Sequence, residues 1–184
     1  MIKFITGPMR SGKSLILLRE AEKLHLAKQP YVILRPPEDK REFISRSFKS
    51  SLNLNIQYLS SAKQIRKYKN ILIDEFHLLE ERYIPILIEE SINNKQIFLC
   101  GLLGGSDYPE APNDLMLLKN NIEILPFVNK IIKTSSICEG CGNKEGNIET
   151  TEKDTLTIGD DYHVYCLDCA KDKINHKYLT RYKD

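Results

Sequence analysis

No apolar run in this 184-residue sequence approaches the roughly 20 residues that a helix needs to span a bilayer, and the N-terminus leads directly into a strand and loop with no signal-peptide pattern. A cytoplasmic protein with no membrane partner is expected. Charge of one sign is also missing: 27 basic against 25 acidic side chains leave a net charge of +2, too little for a nucleic-acid footprint. Tracts such as "RKYK" (66–69) and "HKYLTRYK" (176–183) read as solvated faces. Internal repeats and low-complexity tracts are absent. The length excludes two full domains and predicts one main domain with a small accessory module.

Short apolar runs alternate with helical patterns. "IKFIT" (2–6) ends at a glycine loop, and "SLILLREAEKLHLAK" (14–28) then places Leu and Ile at helical spacing. "YVILR" (31–35), "NIQYL" (55–59), "NILIDE" (70–75) and "QIFLCG" (96–101) read as strands, with helices over 61–68 and 82–94 between them. Strands alternating with helices predict an α/β fold with a parallel sheet. From about residue 134 the texture changes to Cys, Gly and short β-like runs. The expected organisation is 1–133 for the α/β domain, 134–175 for the accessory module and 176–184 for a tail.

Gly7, Gly12, Lys13 and Ser14 satisfy G-x-x-x-x-G-K-[ST] between a predicted strand and a predicted helix. Glycines let backbone N–H groups approach phosphates, and the helix N-terminus adds partial positive charge. Lys13 would reach the terminal phosphates and Ser14 would ligate Mg²⁺. "ILIDE" supplies Asp74 as the acidic partner of that Mg²⁺, and Glu75 as a general base within reach of an attacking hydroxyl or water. These residues describe a Mg²⁺-dependent nucleotide-binding protein that hydrolyses or transfers a phosphoryl group.

The five cysteines argue for metal or catalysis in a cytoplasmic chain. Cys138, Cys141, Cys166 and Cys169 form two C-x₂-C pairs with 24 residues between them, a spacing that presents four thiolates to one tetrahedral Zn²⁺. Four thiolates leave no open position, so the zinc would be structural. Cys100 lies in a buried run and reads as a core thiol.

A G-P-M-x-S-G-K-S loop, a strand ending in I-D-E and a C-terminal four-cysteine lobe together resemble the type II thymidine kinases, the tetrameric, zinc-containing class. The resemblance covers nearly the whole chain. It implies a P-loop NTPase (RecA-like) parallel sheet with helices on both faces, and a zinc-ribbon lobe carrying a substrate lasso. It implies ATP as donor, a thymidine-like nucleoside as acceptor, and a homotetramer. Gly7, Pro8, Met9, Arg10, Ser11, Gly12, Lys13 and Ser14 would then bind the triphosphate, with Met9 also at the nucleobase. Asp39 and Arg41 match the family's D-x-R near the phosphates. Asp74 matches the Mg²⁺-linked aspartate and Glu75 the base that deprotonates the 5′-hydroxyl. Phe76 and His77 follow on the ATP side, His77 standing where the family has glutamine. Ile158, Gly159 and Tyr162 match the lasso that pairs with thymine. The acceptor side departs from the pattern: in "GLLGGSDYPEAP" (101–112) Leu103 replaces an aspartate, and Gly105 and Ser106 replace Asp-Phe. Tyr108 is the candidate for the missing aromatic. Two other readings remain open, a nucleotide-binding sensor or regulator of the same fold, and an ATPase serving a nucleic-acid ribbon.

Overall fold

A computed structural model describes residues 1–41, 44–45, 50–102, 104–105, 116–117, 119–143, 145–151 and 162–171. In chain order the elements are β1 (Ile2–Thr6), α1 (Lys13–Leu26), β2 (Tyr31–Arg35), β3 (Ile56–Tyr58), α2 (Ala62–Lys67), β4 (Asn70–Ile73), α3 (Ile84–Ile92) and β5 (Gln96–Gly101). The two-residue strands β6 (Gly104–Gly105) and β7 (Met116–Leu117) follow, then α4 (Lys119–Ile124) and β8 (Val128–Lys133). The chain continues with β9 (Ser136–Ile137), β10 (Glu145–Gly146), β11 (Ile148–Thr151), β12 (Tyr162–Tyr165) and α5 (Leu167–Ala170). They divide into two compact units.

The first unit comprises Met1–Thr6, Gly12–Gly101 and Lys119–Lys133. Its six strands form one parallel sheet in the order β3-β2-β4-β5-β1-β8. Successive side chains of a strand point to opposite faces, and the register aligns them: Ile5 lies beside Cys100, Leu72 beside Phe98 and Ile33 beside Leu72. This set packs with Leu17, Leu18 and Ala21 of α1. The alternate set, Phe4, Leu34, Ile71, Ile73, Ile97 and Leu99, is buried as well. Both faces are therefore covered, which is why these strands read as continuous apolar runs.

One helix start and two further elements differ from the sequence expectation. The helix expected over 82–94 begins at Ile84, with Pro85 in its first turn and a 3₁₀ turn at Glu81–Tyr83 ahead of it; a proline without an N–H is accommodated where a helix has no donor to satisfy. Strand β8 and helix α4 lacked a recognisable signal. β8 is a sheet edge whose Asn129, Lys130 and Ile131 are exposed, so it carries no apolar run.

In the second unit the described residues include Gly7–Ser11 and those from Thr134 onward. Among its described residues are three antiparallel pairs, β6-β7, β9-β10 and β11-β12, and the short helix α5. The first cysteine pair follows β9; the second follows β12 and enters α5. The first half of the glycine loop thus groups with the cysteine-bearing chain, although it follows β1.

Candidate active site

Within the first unit, α1 starts at Lys13 directly after Gly12, whose φ of 82° is a left-handed value that glycine adopts freely. Lys13 is buried. Ser14 Oγ donates to Asp74 Oδ1 at 3.1 Å. Asp74 directly follows β4 and is fully buried. Burial, with the neighbouring charge of Glu75, pushes its carboxyl up to about 7, against the opposing pull of Arg41 and of hydrogen bonds from Cys100 and Ser14. Its Oδ2 has no hydrogen-bond partner among the described residues and lies 3.6 Å from Arg41 Nη2. A buried carboxylate oxygen left orphaned beside a P-loop serine fits a hydrated Mg²⁺, which would satisfy it.

Glu75 adopts φ 48°, left-handed for a non-glycine residue, a strain of order 1–3 kcal/mol that surrounding structure must hold. Arg41 supplies part of that hold: its Nη2 donates to Glu75 Oε1 at 2.6 Å. Arg41 is itself clamped on Asp39, with Nε to Oδ1 and Nη2 to Oδ2 both 2.7 Å. Asp39 is fully buried and also meets Arg35 Nη2 at 2.9 Å. Although burial favours the neutral acid, the two guanidinium groups hold Asp39 below the usual carboxylate range.

The His77 side chain is only 6% exposed, with Nδ1 3.6 Å from Glu75 Oε2. Burial pushes its imidazole down to about 4, so it is neutral. Phe76 is also buried, its ring edge-on to Phe4 at 6.0 Å, and belongs to the core. The turn carrying both is braced from α4. Asn120 Nδ2 donates to the carbonyl oxygens of Leu79, Phe76 and His77 at 2.6, 3.3 and 3.4 Å. Sequence reasoning missed Asn120; the only signal was an Asn pair within an otherwise unremarkable stretch, "KNNIEI".

In the second unit, the first half of the loop is seated on the cysteine-bearing chain. A Cβ at Gly7 would lie 2.3 Å from the carbonyl oxygen of Thr134, so only glycine fits. Pro8 is buried beside it. Ser11 Oγ and Thr134 Oγ1 share a hydrogen bond of 2.6 Å. The Met9 N–H donates to the buried carboxylate of Glu149. Arg10 Nη1 lies 3.2 Å from Glu139 Oε1.

The Sγ atoms of Cys138, Cys141, Cys166 and Cys169 lie within 4.8 Å of one another. Gly140 permits this approach, since a Cβ there would meet Cys169 Sγ at 2.9 Å. Although burial would raise it, backbone N–H groups of Cys166, Cys141 and Gly140, with the Cys141 thiol, bring Cys138 down to about 6. Four clustered soft donors with a backbone-stabilised thiolate fit a structural Zn²⁺. Cys100 is buried, as expected of a core thiol, and also bonds Asp74.

Tyr162 is buried on β12, opposite Thr151. Tyr108, Ile158, Gly159, Leu103 and Ser106 lie outside the described residues, as does the 176–184 tail; Gly105 is in β6. No helix among the described residues is long and apolar enough to cross a membrane.

Comparison with known proteins gives one consistent result. The family model described as thymidine kinase matches residues 1–170. The thymidine kinase of Mycoplasma mobile is 29% identical over 92% of this chain and 86% of its own length. That of Choristoneura biennis entomopoxvirus is 34% identical over 77% of this chain and 78% of its own. That of Metamycoplasma arthritidis is 27% identical over 96% and 95%.

Proposed function

Since the chain belongs to the thymidine kinase family, a family of nucleoside kinases, we propose that it transfers the γ-phosphoryl of ATP to the 5′-hydroxyl of thymidine or a related pyrimidine deoxynucleoside. The observation that carries this reading is the pair Asp74–Glu75 at the end of β4, with Ser14 on the first carboxylate and Arg41 on the second.

In this mechanism the loop from Gly7 to Ser14 cradles the triphosphate with its N–H groups, and Lys13 neutralises the terminal phosphates. Ser14 Oγ and Asp74 would hold Mg²⁺, which supplies charge neutralisation across the β- and γ-phosphates when bound. Glu75, aimed by Arg41, accepts the proton of the 5′-hydroxyl as that oxygen attacks the γ-phosphorus and the ADP oxygen leaves. Neutral His77 beside Glu75 adds no competing positive charge. Met9, Tyr108, Ile158, Gly159 and Tyr162 are the residues proposed for the nucleoside. The four cysteines hold Zn²⁺ in a structural role, and the active form is a cytoplasmic homotetramer.

Glu75→Gln tests the reading. Losing a general base lowers turnover by about 10²- to 10⁴-fold, while ATP binding should stay within a few-fold of the parent. Full turnover in this variant would remove Glu75 from the mechanism. Tight ATP binding by the parent chain with no turnover on any nucleoside would favour the regulatory reading, to which the altered "GLLGGS" segment lends weight.

A further inference from the structure

We propose that Glu139 couples the four-cysteine site to the phosphate loop, so that zinc occupancy tightens nucleotide binding and bound nucleotide slows zinc loss. The proposal rests on ATP being the ligand of the loop. Glu139 stands between Cys138 and Cys141, so the turn these two thiols close around a metal fixes where its carboxylate points. Three donors converge on it: Arg10 Nη1 at 3.2 Å, His163 Nδ1 at 2.7 Å and the Val164 N–H at 3.2 Å. Two of these belong to β12, which leads into the second cysteine pair, and the third belongs to the loop.

The loop end of this link is conformationally demanding. Arg10 has φ 60°, a left-handed value that a non-glycine residue keeps only where its surroundings impose it. Its side chain is 48% exposed, and an ion pair so exposed contributes little stability by itself. Its effect is on conformation, because a phosphate loop works only when its N–H groups converge on one oxygen cluster. Further contacts reinforce the same seat: Met9 N–H on Glu149, Ser11 on Thr134, and Gly7 against Thr134. A metal-free knuckle frees Glu139 to move, and Arg10 with it. Linkage then requires the reverse effect of equal size: a ligand that fixes the loop stabilises the zinc-bound knuckle.

The test uses the full-length zinc-loaded protein and a chromophoric chelator that reports zinc release, with and without saturating ATP and Mg²⁺; ATP binding is measured separately. The parent chain should release zinc about tenfold more slowly with ATP, within the usual range of allosteric coupling. Arg10→Asn keeps a residue that tolerates the left-handed backbone but is too short to reach Glu139. With ATP raised until this variant is itself saturated, it should lose most of the protection that bound ATP gives the parent, and Arg10→Lys should restore it. Glu139→Gln, approaching the pair from the other side, should lose protection as well. Equal release rates with and without bound ATP, or full protection in both Arg10→Asn and Glu139→Gln, would overturn the coupling. A parent chain that binds no ATP would instead overturn the function proposed above.

Discussion

Replacing His77 by glutamine should flatten the acid side of the stability profile, and the structure sets the size of the effect. Burial holds His77 at about 4, outweighing the attraction of Glu75, while Lys13 and Arg41 push in the same direction as burial; in the unfolded chain the ring titrates near 6.5. Between these two values the unfolded chain binds a proton that the folded chain refuses. Stability therefore falls as pH falls through this window and rises with pH across it. The 2.5-unit gap between 6.5 and 4 corresponds to about 3 kcal/mol when complete, of which about 2 kcal/mol is already lost by pH 5. Glutamine carries no proton, so His77→Gln lacks this loss. Urea unfolding of both chains at pH 7, 6 and 5 gives the comparison. Carboxylates such as Asp74 titrate in both and cancel in the difference. The parent should lose about 2 kcal/mol relative to the variant between pH 7 and 5. Parallel profiles would refute the buried neutral imidazole.

Asn120→Ala removes the brace on the turn after Glu75, and a displaced base of this kind lowers turnover by up to about 100-fold. The fall should appear in kcat, with ATP binding nearly unchanged; a normal kcat in the folded variant would remove Asn120 from the positioning of Glu75. Arg41→Met should destabilise the chain by about 1.5–3 kcal/mol in urea unfolding, because it strips one of the two guanidinium partners from buried Asp39 and leaves Arg35 as the other. Adding Asp39→Asn should recover part of that loss, and strictly additive effects would contradict the clamp.

The parallel sheet was legible because its inner strands are apolar on both faces, and "ILIDE" and "GPMRSGKS" marked where β4 and β1 end. Asp74, Ser14 and Lys13 sit in the first unit in the local settings their motif implied, and the four cysteines converge as their spacing required. Edge strand β8 was not legible, since an exposed edge needs no apolar run. Asn120 and Glu139 were hidden for a different reason: each acts through backbone or side-chain partners distant in sequence, and a polar residue's partner is fixed by the fold alone. Phe76 illustrates the converse, a motif neighbour whose side chain the core claims.

Whether the phosphoryl group leaves ATP for a nucleoside hydroxyl is decided by ADP release with γ-labelled ATP across a panel of nucleosides. Release should depend on thymidine or a related pyrimidine deoxynucleoside, with the label recovered in the nucleoside 5′-monophosphate. Release that is indifferent to every nucleoside, with the label in inorganic phosphate, would contradict that transfer.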